Sequence, residues 1–205
     1  MLHLLVNYNC TPDWVKDEDY LIYDRSDSKD YLKDFDQDRI IYTSNIGNVD
    51  YDKLSYLVDN YDNLPDVFLW SKSNLYKYVT KEEYDKVKDN QFFTSLLTQN
   101  HRTYSDDGGI VCYYDNGMYY ERADSWYFGG FASKYVTCWE DWCDLFNLPK
   151  TFYIPFAPGG SYILTREIVH KYPKEFYQKM RDTLPYCQLP VEAFCAERSY
   201  LLMWG

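Results

Sequence analysis

Across residues 1–70, short saturated apolar runs alternate with polar ends. LHLLVNYN (2–9) predicts a buried first strand that finishes in polar residues. DYLIYDRS (19–26) predicts a second strand ending at Asp24 and Arg25, and DRIIYTSN (38–45) a third ending at Asn45. Apolar runs of this length, bounded by turn residues, suit strands covered on both faces. The pattern then changes period. In NVDYDKLSYLVDNYDNL (48–64), Leu54, Leu57, Val58 and Tyr61 recur at helical spacing, with Asp50 placed to cap. DVFLW (66–70) returns to strand. Strand, strand, strand, helix, strand in this order predicts an α/β sheet and not a sandwich.

The second half is more irregular. TKEEYDKVKDN (80–90) sets Thr80 three residues before Glu83, which is a capping box and predicts a helix. IVCYYDNGMYYER (110–122) predicts a β-hairpin, because Asn116-Gly117 suits a type I′ turn. TFYIPFAPGGSYILTREIV (151–169) predicts a strand, a Pro-Gly-Gly turn, a strand, and a helix capped near Thr165. Pro173 ends that helix and can open the next, which sets Phe176, Tyr177, Met180 and Leu184 on one face. A last helix follows Pro190. No repeat or flexible linker divides the 205 residues, so one α/β domain is expected. The apolar run SYLLMWG at the end suggests a domain taken from a longer polypeptide.

Composition narrows the function. A net charge of −11, with no extended Lys/Arg cluster, argues against nucleic acid as partner, although a nucleotide-sized anion needs only a few local donors. The 24 Tyr supply rings with an apolar face and a polar tip, suited to stacking on a base or a sugar. Six Cys without a CxxC pair and three scattered His do not form a zinc pattern. No signal peptide or membrane-spanning run is present, so a reducing, cytoplasmic setting with free thiols is expected. Gly-rich phosphate loops and the GxSxG elbow are absent from the sequence.

Ligands of open α/β sheets bind beyond the carboxyl ends of the strands. The polar residues there are Asn7, Tyr8 and Asn9, then Asp24 and Arg25, then Asn45, then Ser71, Lys72, Ser73 and Asn74. VNYN with YLIYDRS, APGGSYILTRE and PVEAFCAERSYLLMW together resemble the GT-A fold of nucleotide-sugar glycosyltransferases. They are similar above all to the glycosyltransferase domains of chlorella-type large DNA viruses, implicated in capsid glycan synthesis. The resemblance implies a GT-A-like single domain with a central, mostly parallel or mixed sheet flanked by helices and an added hairpin. Residues 1–75 would form the nucleotide-binding half and 76–205 the acceptor and catalytic half. It implies transfer of a hexose or deoxyhexose from a UDP-sugar to a glycan or glycoprotein, with retention of configuration.

The resemblance also assigns residues. Asn7, Tyr8, Asn9, Asp24, Arg25, Asn45, Lys72, Ser73 and Asn74 would hold the donor, and Gly159, Gly160 and Ser161 the acceptor. A Mn²⁺ or Mg²⁺ ion is usual for such enzymes, yet Ser71-Lys72-Ser73 stands where an Asp-x-Asp is expected. Lys72 could neutralise the diphosphate directly. Alternatively, Asp36 and Asp38, or Asp106 and Asp107, could complete a metal site. Glu192 and Glu197 are candidates for the carboxylate near the anomeric carbon. Five helical positions set them roughly 140° apart. Glu192, in the first turn after Pro190, is expected to face the cleft, and Glu197 to pair with Arg198. A catalytically inactive or lectin-like binding module of the same fold is the second possibility, and a metal-dependent nucleotidyltransferase or phosphoesterase the third.

Overall fold

Strands β1 (Leu2–Asn7), β2 (Asp19–Asp24), β3 (Ile40–Tyr42) and β4 (Val67–Lys72) pair in parallel, in the order β3-β2-β1-β4. The structure is a computed structural model. It describes residues 1–96, 105–106, 109–110, 112–115, 118–123, 126–157 and 159–205. The alternation of the sequence divides the side chains cleanly. Leu4, Val6, Phe68 and Trp70 enter the core on one face, while Leu5, Ile22 and Leu69 enter a second core on the other. The crossover from β3 to β4 runs through α1 (Asn48–Asp59). Its N-cap is Gly47 at φ 69°, not a side-chain cap. Asp50, expected as the cap, turns inward, where its carboxylate accepts from Tyr200 Oη at 2.9 Å.

Beyond β4 come α2 (Lys81–Val87), with its Thr80/Glu83 capping box formed, and β5 (Thr94–Ser95). β6 (Ser105–Asp106) and β7 (Gly109–Ile110) make a two-stranded ladder. β8 (Cys112–Asp115) and β9 (Met118–Arg122) pair antiparallel, as expected of the hairpin, while the Asn116-Gly117 turn itself lies outside the described residues, as does Asp107. α3 (Trp139–Phe146) is a helix the sequence reading did not assign. β10 (Tyr153–Pro155) adds to β9. β11 (Tyr162–Thr165) inserts antiparallel beside β4 and carries β5 at the sheet edge, which makes the six-stranded sheet mixed. Thr165 caps α4 (Arg166–Val169), Pro173 opens α5 (Lys174–Asp182), and Pro190 opens α6 (Val191–Trp204).

α6 packs over the sheet through aromatic contacts. Trp204 stacks on Tyr200 at 5.0 Å, and both meet the edge of the buried Trp70 ring. A Trp in such a place removes roughly 150–250 Å² from water, a gross gain of about 4–6 kcal/mol. That packing fixes which side of α6 faces the end of β4. Among the described residues, no helix is long and apolar enough to cross a membrane.

Candidate functional site

The strand order creates a crevice. From β1 the chain steps to β2 and β3 on one side, then returns through α1 to β4 on the other. The loops leaving β1 and β4 therefore diverge, which is where open α/β sheets bind ligands. A cavity of about 180 Å³ lies there. Val6, Tyr8 and Cys10 line it from β1, Lys72, Ser73 and Asn74 from β4, and Asn48 and Val49 from the first turn of α1. Its walls hold one ammonium and the positive end of a 12-residue helix, a combination that favours an anion. Gly47 is needed at the helix entry, because a Cβ there would stand 2.7 Å from that of Tyr51, at positive φ.

The residues expected at the strand ends divide into two groups. Tyr8 is 47% exposed, and with Lys72, Ser73 and Asn74 it lines the cavity. Asn7, Asn9 and Asp24 are not in its lining and instead bond to one another's loops. Asn7 Nδ2 donates to Asp24 Oδ1 at 3.0 Å and to Ser26 Oγ at 3.2 Å, while Asn9 Nδ2 donates to Asp27 at 2.7 Å. Arg25 points the other way. It is buried, its Nε lies 2.8 Å from Asp52 of α1, and it also donates to the Ile46 carbonyl. It ties β2 to α1 and has no surface for a ligand. Asn45 is half-buried and lies outside the cavity lining. Asp24 Oδ2 and Ser73 Oγ are buried without a hydrogen-bond partner among the described residues, an unusual condition for polar atoms.

Behind Lys72 lies a buried cluster of two acids and two ammonium groups. Lys72 Nζ stands 3.5 Å from Glu197 Oε1 and 5.3 Å from the Tyr78 ring centroid. Burial works to lower the Lys72 ammonium and is outweighed by Glu197, Tyr78 and Asp50, so it is held raised and charged. Lys53 is fully buried, donates to the Gly160 carbonyl at 2.6 Å, and lies 5.5 Å from the Trp70 ring centroid. Burial pushes Asp50 up, with Glu197 adding to the effect, and pushes Lys53 down against the pull of Asp50. Asp50, Lys53 and Tyr78 were not anticipated. Their signal was present, since Asp50 and Lys53 fall one turn apart on the same stripe of α1 as Leu54 and Leu57.

The Gly159-Gly160 turn threads this cluster. A Cβ on Gly159 would meet the Tyr78 ring at 2.6 Å, and one on Gly160 would meet Glu197 Cγ at 3.1 Å. Both residues have positive φ. They are structural necessities of the close approach between Tyr78 and Glu197. Ser161, expected to touch an acceptor, is fully buried and shares a 3.0 Å hydrogen bond with Ser71 Oγ.

Glu192 stands elsewhere. Its carboxylate is fully buried, and Oε1 accepts from Tyr135 N at 2.7 Å, Lys134 N at 2.9 Å and Ser133 Oγ at 3.2 Å. Oε2 accepts from the Tyr186 hydroxyl. Every one of these donors belongs to the protein, so Glu192 clamps the turn at Ser133–Tyr135 and does not line the cavity. Glu197 does lie 3.8 Å from Arg198, as expected, but Arg198 is primarily bound to Glu121, and Glu197 reaches the strand end through Lys72.

The end of β4 does not fit a divalent cation. Such an ion takes several hard oxygen donors. Here an ammonium occupies the middle position, and the Ser71 hydroxyl is spent on Ser161 and the Lys72 carbonyl. Asp36 caps a short helical turn through Asp38 N, away from this edge. Among the described residues, no three His, Cys, Asp or Glu are grouped to hold a metal. The lining of the cavity therefore carries one ammonium, that of Lys72, and no carboxylate. No family model, curated protein or solved structure matches the chain.

Proposed function

We propose that this protein is a glycosyltransferase that binds a UDP-sugar at the crevice between β1 and β4. The observation that carries the proposal is the coincidence of three features at one strand-order reversal. These are the Lys72 ammonium, the N-terminal turn of α1, and the exposed ring of Tyr8. A diphosphate placed there meets a charge that needs no metal, and a ring beside it offers a face for uracil. The cavity is smaller than the roughly 300 Å³ at which ligand pockets usually begin, so the sugar extends over the open edge of the sheet. In the transfer itself, an acceptor hydroxyl bonds to the anomeric carbon and passes its proton to the departing phosphate oxygen. UDP leaves with the electron pair of the broken C–O bond. Lys72 stabilises that developing charge, and Glu197 positions Lys72. Retention of configuration and a glycan or glycoprotein acceptor follow from the sequence resemblance alone. The cytoplasm is the proposed setting, and the six free thiols are compatible with it.

A binding module is the second reading. It is favoured by one observation: the described walls of the cavity carry an ammonium but no carboxylate to assist at an anomeric carbon. The experiment is incubation with UDP-hexoses and UDP-deoxyhexoses, with and without acceptor glycans, and measurement of released UDP. Acceptor-dependent release supports the transferase. Nucleotide binding without release supports the module, and no binding at all removes both.

A further inference from the structure

A second cavity, of about 530 Å³, opens between α3 and α5 and shares no lining residue with the crevice at the sheet edge. We propose that it is a binding site for a neutral saccharide. Its volume lies within the roughly 300–1,000 Å³ of small-ligand sites.

The free chemistry of its walls selects the ligand. Glu175, Gln178 and Asp182 stand along one stripe of α5. Three cations stand nearby, and each is engaged: the Lys134 ammonium lies over the Tyr135 ring, 5.1 Å from its centroid, and the other two have polar partners. Lys179 Nζ donates to the Leu145 carbonyl at 2.6 Å, and Arg181 is paired with Asp182 at 3.0 Å. What remains open among the described residues is the Glu175 carboxylate, the Gln178 amide, and the ring and hydroxyl of Tyr135, which is 46% exposed. An anion would meet two carboxylates, Glu175 and Asp182, against one lining cation, Lys179, whose ammonium is turned to the Leu145 carbonyl. A polyol meets an acceptor, a donor–acceptor amide, and an aromatic ring for its C–H face.

The ring is also held in advance. The Ser133–Tyr135 turn is fastened by three donors to Glu192, whose other oxygen accepts from Tyr186. The Tyr186 ring lies edge-on to Tyr135 at 6.2 Å. A pre-positioned ring loses little freedom on binding, which is the usual economy of aromatic anchors. This gives the buried Glu192 clamp a purpose that the nucleotide crevice does not supply. The saccharide site does not rest on the transferase reading, since it operates with or without turnover.

The test uses the whole chain, without nucleotide, and a panel of neutral di- to hexasaccharides of glucose, galactose, mannose, N-acetylhexosamine and deoxyhexose. Saturation-transfer NMR finds binders, and titration gives their affinity. The expected result is millimolar or tighter binding of at least one saccharide, weakened about tenfold or more in Tyr135→Ala and in Gln178→Ala, with UDP affinity unchanged in both. Both positions are exposed, so the melting temperature of each variant should stay near that of the parent. Absence of binding across the panel would overturn the proposal. So would binding that ignores both substitutions, or a cavity occupied by a basic peptide such as oligolysine in preference to every saccharide.

Discussion

The ammonium of Lys72, at the last residue of β4, stands 3.5 Å from the carboxylate of Glu197, 125 residues further along the chain in α6. The two side chains are mostly buried, at 19% and 9% exposure, so the pair is shielded from solvent yet open on the Lys72 side. An ammonium held this way can give its remaining donors to an incoming phosphate without first being ordered.

Replacing Glu197 by Gln should therefore act on both stability and binding. It removes one Arg198 contact and the nearest negative partner of Lys72, which keeps the longer-range pull of Asp50, at a cost of about 1–3 kcal/mol. Nucleotide affinity should fall severalfold, because Lys72 loses its orientation while keeping its charge. Urea unfolding and a UDP titration measure the two effects separately. Unchanged UDP affinity would show that Glu197 does not position Lys72.

Glu192→Gln separates the other acid. An amide cannot accept from all four donors: with its oxygen kept on Ser133–Tyr135, its NH₂ faces the Tyr186 hydroxyl, which loses its acceptor, and the charge that strengthened all four bonds is gone. A loss of about 2–4 kcal/mol is expected, with UDP affinity unaltered. Loss of UDP affinity at full stability would place Glu192 at the donor site after all.

Helical spacing separates Glu192 from Glu197 by face, but the choice between them depended on contacts distant in sequence. The same limit applies to Asp50. A first-turn acid reads locally as a cap, and only the fold reveals Tyr200, 150 residues away, as its partner. Local signals elsewhere were sufficient. Thr80 with Glu83, Thr165 and Pro173 mark helix starts where the structure has them, because capping is settled by neighbours in sequence. Trp139, Trp142, Cys143 and Phe146 carry the spacing of α3, in a stretch short enough for its aromatic content to hide the period. The strand-end polar residues were legible as a set. That Lys72 lines the cavity agrees with its expected place, whereas the turn of Arg25 toward Asp52 was not legible.

The Gly159-Gly160 turn offers a steric test. Both positions have positive φ, and an added methyl meets ring atoms of Tyr78 at 2.6 Å in one case and Glu197 at 3.1 Å in the other. Ala at either position should destabilise by about 1–3 kcal/mol, and more at 159, where the obstacle is a ring instead of a flexible side chain. Thermal unfolding of the two variants gives the order. Equal and small effects would mean that the turn relaxes freely.

Asp52 gives a pH dependence with a definite sign. Burial raises its carboxyl from 3.8 to about 6, against the pull of Arg25 and Thr43. Between those values the folded protein binds more protons than the unfolded chain, so this contribution is complete at low pH and is lost as pH rises through about 6. Asn at this position cannot titrate. Going from about pH 4 to about pH 7, Asp52→Asn should gain up to about 3 kcal/mol relative to the parent. A constant difference across that range would show that Asp52 is ionised throughout.

In the proposed donor site a fixed ammonium, and no acidic metal site, neutralises a nucleotide diphosphate at the β1–β4 crevice. Calorimetric titration of UDP, GDP, ADP and CDP in EDTA and in Mn²⁺, into the parent and Lys72→Ala, tests it most directly. The expected result is preferential UDP binding that survives chelation, strengthens only modestly with Mn²⁺, and falls at least about tenfold in Lys72→Ala. UDP binding that disappears in EDTA and is indifferent to Lys72→Ala would contradict it.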